Sequence, residues 1–67
     1  MNEVGTVYLV VSEAELIKKV GVNSIYQYQG KYYVGLETLT ENGEDIENSI
    51  EFSILSLAEE FANGLPQ

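Results

Sequence analysis

Between Asn23 and Thr40 two runs of β-forming residues, Asn23 to Tyr28 and Lys31 to Thr40, meet at Gln29-Gly30-Lys31. Glycine supplies the positive φ of a tight turn, so the pattern predicts an antiparallel hairpin. The two central turn residues are Gln29-Gly30 or Gly30-Lys31, and either choice leaves the same side chains together. Tyr26, Tyr28, Tyr33, Gly35 and Glu37 are expected on one face. Ile25, Gln27, Tyr32, Val34 and Leu36 are expected on the other, which holds the aliphatic groups and should meet the rest of the core.

The remaining elements are arranged around that hairpin. Val4 to Val11 is rich in β-branched residues and too short for a buried helix, which predicts a strand. Ser12 and Glu15 then have the spacing of a capping box, with Val11 and Leu16 at the positions of a hydrophobic staple. A helix of about two turns is expected from Ser12, with Leu16, Ile17 and Val20 as its apolar stripe and Gly21 as its terminator.

After the turn-forming Glu41-Asn42-Gly43-Glu44-Asp45, two periodicities compete. Ile46, Ile50, Ile54, Leu57 and Phe61 share one arc of a helical wheel, which favours a long amphipathic helix from Ile46 to Asn63. Ile50-Glu51-Phe52-Ser53-Ile54 alternates like a strand, and Ser56 with Glu59 matches the cap of a shorter helix. The long helix is the preferred reading, ended by Gly64 in the left-handed conformation and by Pro66. The expected architecture is a single α+β domain over residues 1–67. Its order is β-α-β-β-α, a three-stranded antiparallel sheet with helices packed on it.

Charge narrows the choice of partner. The chain has 11 acidic and three basic residues and a net charge of −8. Glu3, Glu13 and Glu15 balance Lys18, Lys19 and Lys31, so the surplus lies wholly in Glu37, Glu41, Glu44, Asp45, Glu47, Glu51, Glu59 and Glu60. Three lysines without an arginine cannot neutralise a phosphate backbone, so direct binding to nucleic acid or to an anionic membrane is disfavoured. At 45% apolar residues the chain is too hydrophobic for a disordered acidic tail. Met1-Asn2-Glu3-Val4 lacks a basic run and the apolar stretch Val7–Val11 is too short for a signal peptide or span, so a cytoplasmic protein is expected.

Without histidine or cysteine, the commonest general base, metal ligand and thiol nucleophile are missing, and no enzyme activity or cofactor is expected. The acidic loop does not make a calcium site. If Gly43 were the invariant glycine of an EF-hand, the terminal glutamate position would fall on Ser49. The expectation that remains is a small acidic protein-binding module, an inhibitor that occupies a basic surface of a partner protein, such as one that otherwise holds nucleic acid. Glu41, Glu44, Asp45, Glu47 and Glu51 are the expected contacts, and Tyr26, Tyr28 and Tyr33 the expected aromatic anchors. In size, acidity and lack of catalytic groups the chain is similar to small inhibitors carried by phages and mobile elements, such as anti-restriction and anti-CRISPR proteins. That likeness is one of profile, carried by no motif, and transfers no site residue. The alternative expectation is a small homo-oligomeric component, a homodimer for example, whose acidity serves solubility.

Overall fold

In a computed structural model, which describes residues 6–65, the chain forms one five-stranded antiparallel sheet and one α-helix. The elements are β1 (Val7–Val10), a 3₁₀ turn (Val11–Glu13), β2 (Glu15–Val20), β3 (Asn23–Tyr28), β4 (Lys31–Glu41), β5 (Glu44–Phe52) and α1 (Leu55–Asn63). The spatial order is β1-β5-β4-β3-β2. Strands β2 to β5 form a meander, and β1 closes on the far side of β5. The protein is therefore mostly β, which corrects the expected three-stranded α+β arrangement of order β-α-β-β-α with helices packed on the sheet.

Two segments account for the correction. The nine residues from Ser12 to Val20 would make an isolated helix of marginal stability with a stripe of only three apolar groups. Glu15–Val20 instead pairs with β3, satisfying backbone groups along that edge, with Lys18 and Lys19 placed on an outer strand where charge discourages further pairing. Ser12 falls inside the 3₁₀ turn, and no side chain caps it. In the second segment, Asn42 and Gly43 take φ values of 52° and 80°, the double left-handed geometry of a two-residue hairpin turn. The chain thus returns as β5 rather than entering a helix at Ile46. The helix starts at Leu55, after Ile54 and without a side-chain cap, so the Ser56–Glu59 pattern does not set its start. It ends at Gly64 in the right-handed region (φ −84°), not in the expected left-handed one. Val4 and Pro66 lie outside the described residues.

The β3–β4 hairpin turns at Gln29-Gly30, both at positive φ, and its register places Tyr26 opposite Tyr33 and Ile25 opposite Val34. Directly opposed residues share a face. Ile25, Val34 and Ile50 therefore form a row beneath α1, and Ile25 and Val34 pack with Ala58 and Ala62 in the fully buried centre of the core. Tyr32, Phe52, Val20, Leu55 and Phe61 surround it, with the Phe52 and Phe61 rings 5.4 Å apart. The opposite face carries Leu9, Tyr33, Gly35, Glu47 and Ser49, all buried.

A bulge between Gly35 and Glu37 changes the facing of the rest of β4. Glu37 pairs with Asn48 and so lies on the face that carries α1, not with the tyrosines as the unbroken alternation predicts. The order of the strands also fixes the sheet's shape. β1 and β2 lie at opposite edges yet are joined only by Val11–Ala14. Four strand spacings in a flat sheet are about 19 Å, and a link mostly in 3₁₀ geometry at about 2 Å rise per residue falls short of that. The sheet must curl to bring its edges together.

Candidate functional site

β3 pairs with β4 only over Lys31–Val34, whereas β4 and β5 continue together to their turn. The distal hairpin, from Leu36 to Glu47, has β1 beside it as far as Ile46, with the 3₁₀ turn also against β5, and no strand paired with it from outside between Thr40 and Asp45. Its end stands past the flanking strands, so the hairpin forms a short arm. Five acids, Glu37, Glu41, Glu44, Asp45 and Glu47, lie on this arm, which has no lysine or arginine.

The expected contact residues separate into two groups. Glu41, Glu44 and Asp45 come together at the tip, all exposed, with Glu41 directly opposite Glu44 and Thr40 donating to Asp45 at 3.2 Å. Glu51 lies six positions from Asp45 along β5, about 20 Å at the rise of a strand. There it pairs with Lys31 at 2.8 Å and stands opposite Tyr33. Tyr26 lies opposite Tyr33, and the Tyr28 ring is 6.4 Å from that of Tyr33. Tyr33 is buried and Tyr26 and Tyr28 are half-buried, so this row is largely committed to covering the sheet.

Glu47 belongs to neither group. It turns inward at 6% exposure, lies against Gly35, and accepts a hydrogen bond from Thr38 Oγ1 at 2.6 Å. Its neighbour Ser49 is also buried and donates to the carbonyl of Val7 at 2.9 Å. Glu47 is a structural carboxylate here, not an exposed contact.

Two of the three lysines are spent elsewhere. Lys18 holds Glu59 of α1 at 3.0 Å, and Lys31 holds Glu51. The hydrogen bond to Glu51, reinforced by its charge, raises the Lys31 ammonium above its ordinary value of 10.5. Burial, followed by the charge of Glu51, pushes the Tyr33 phenol above 10.0. Neither effect reaches the arm.

One feature of the arm was absent from the expected set. On the face that carries α1, Val10, Ile46 and Leu39 stand abreast across β1, β5 and β4. A shallow groove of about 570 Å³ lies there, lined by Tyr8, Leu39, Thr40, Glu41 and Ile46. The pattern Glu37-Thr38-Leu39-Thr40-Glu41 carries part of that signal in the sequence: an apolar residue bracketed at strand spacing by acids.

Among the described residues no group of three or more His, Cys, Asp or Glu is placed to hold a metal ion. Nor is any helix among them long and apolar enough to cross a membrane. Comparison with protein-family models, with curated proteins and with solved structures gives no match.

Proposed function

We propose that the protein is a small acidic binding module that lays its β4–β5 arm on a basic surface of a partner protein and keeps other anions from that surface. The observation that supports this is the projecting tip, where Glu41, Glu44 and Asp45 stand exposed with no cation on the arm to compensate them. Spaced carboxylates on a hairpin imitate the spaced charges of a phosphate chain. They speed encounter with a positive surface and repel other polyanions. Such a role needs strength of field and shape, and no catalytic group.

The test is kinetic. A partner captured by the protein should associate at least about tenfold more slowly with the Glu41→Gln/Glu44→Gln/Asp45→Asn variant, and the salt dependence of association should flatten. Association rates that are the same for both proteins across salt would refute docking through the arm. The variant changes only exposed positions, so its circular dichroism should match that of the parent.

A further inference from the structure

The groove at the arm's base is framed in a way that specifies what enters it. On the α1-bearing face three successive rows cross the arm. Nearest the tip are Glu41 and Glu44; next are Leu39, Ile46 and Val10; then come Glu37, Asn48 and Tyr8. An apolar row thus lies between two rows that carry acid. Tyr8 is 65% and Leu39 40% exposed, so the row is open to a ligand. Three neighbouring strands span about 10 Å, room for one large aliphatic or aromatic side chain above Ile46.

We infer that this groove, between Tyr8 and Leu39, receives one apolar side chain of an extended partner segment that carries lysine or arginine two positions to either side. The inference rests on the arm-docking reading above and names the partner's local chemistry. The spacing follows from strand geometry. Rows two residues apart on one face are about 7 Å apart, and side chains at i and i+2 of an extended segment have that same separation. A segment running along the arm with its apolar group over Ile46 sets one cation near Glu41 and Glu44 and the other near Glu37. Charge would then select the segment and apolar burial would fix its register.

A second copy of this chain does not meet that description. Nowhere in the sequence is an apolar residue flanked by lysine or arginine at both i−2 and i+2, and two of the three lysines, Lys18 and Lys31, are already paired. Two molecules of charge −8 would also bring acid against acid at the rim.

The experiment titrates the isotope-labelled protein with three blocked peptides and follows its amide resonances. The first is Thr-Lys-Thr-Leu-Thr-Lys-Thr, the second has serine for leucine, and the third has glutamine for both lysines. The leucine peptide should bind about five- to tenfold more tightly than the serine peptide and shift the amides of Tyr8, Leu39 and Ile46. The serine peptide should shift chiefly the tip, and the glutamine peptide should not bind. In Leu39→Thr, and independently in Tyr8→Ser, the preference for leucine should disappear; both positions are exposed, so each variant should keep its fold. Equal binding of the leucine and serine peptides overturns the groove while leaving docking by charge intact. Absence of binding by either lysine peptide removes both readings. A protein that sediments as a dimer, and as a monomer after Leu39→Thr, gives the groove to a second copy and overturns the inference.

Discussion

The side chain of Glu47 lies over the α-carbon of Gly35, so close that a methyl group added there would stand 2.7 Å from Cδ and 2.9 Å from Cγ. Gly35 and Glu47 occupy adjacent strands on the same face, and the missing side chain of one makes room for the carboxylate of the other. Gly35→Ala should therefore destabilise the protein by about 1–3 kcal/mol, because the carboxylate must leave its place or the strands must shift. In a Glu47→Ala background the same substitution should cost much less. Urea denaturation of the four proteins completes the cycle. An equal cost in both backgrounds would show that something other than Glu47 excludes a side chain at position 35.

The hydroxyl that holds this carboxylate gives a separate expectation. Thr38 Oγ1 donates to Glu47 Oε1 at 2.6 Å, and Glu47 is nearly removed from solvent. Thr38→Val keeps the β-branched shape and deletes the donor. A loss of about 1–3 kcal/mol is expected, at the upper part of the range for a hydrogen bond because the acceptor is charged. Thr40→Val, which deletes the exposed donor to Asp45, serves as the control and should change stability by less than about 0.5 kcal/mol. Similar losses at both positions would mean that burial of Glu47 does not set the cost.

At alkaline pH, Tyr33 and Lys31 act in the same direction. Both are raised in the folded protein, the phenol first by burial and the ammonium first by its hydrogen bond to Glu51. The folded chain thus holds these protons more tightly than the unfolded chain. Their contribution is intact below the ordinary values of 10.0 and 10.5 and is lost as pH climbs through the raised folded values. Phenolate absorbance should contain a component that titrates above 10.0, and Tyr33→Phe should remove it. Superimposable curves per tyrosine for the two proteins would contradict the assignment.

The β3–β4 hairpin was legible because alternation and turn chemistry agree over adjacent residues. The β5 strand was not, for a definite reason. Ile46, Ile50 and Ile54 recur every four residues, a spacing that keeps one face in a strand and also nearly one face in a helix. What separates the alternatives is the Asn42-Gly43 hairpin turn, a local signal that the helical periodicity outweighed, together with the pairing of Leu9 with Glu47 and of Val10 with Ile46, which is far from local in sequence. Glu15–Val20 fails in the same way: the edge of β3 requires a partner that the local capping pattern does not announce. At the candidate site, Glu41, Glu44 and Asp45 were legible because a turn between strands must be exposed. The inward turn of Glu47 was not, since it depends on Gly35 across the sheet.

The attachment of α1 separates packing from charge. Ala58 and Ala62 are fully buried against Ile25 and Val34, so the helix approaches the sheet through small side chains. Ala62→Leu should overfill that contact and cost about 1–3 kcal/mol, lowering the melting temperature by at least about 4 °C for a domain of this size. Lys18→Ala breaks the ion pair to Glu59, whose side chains are 46% and 33% exposed, and should cost under about 1 kcal/mol. Thermal melts of both variants decide the ranking. A larger loss from Lys18→Ala would make the ion pair, not the alanine contact, the principal attachment of the helix.

Glu41 and Glu44 face each other across the last pair of the β4–β5 ladder, where like charges oppose strand pairing. Glu44→Lys replaces repulsion with attraction and should stabilise the protein by about 0.2–1 kcal/mol at low ionic strength. The gain should shrink in 1 M salt, where the screening length falls to about 3 Å. The same substitution adds a cation to the surface proposed to meet a basic partner, so it should weaken capture of that partner as it strengthens the fold. Opposed effects of this kind are expected where a surface is kept for binding at some expense of stability. Denaturation and partner association measured on one preparation test both halves. A variant that is no more stable at low salt would show that the tip acids do not strain the arm. A more stable variant with undiminished binding would show that the strain at the tip serves no contact there.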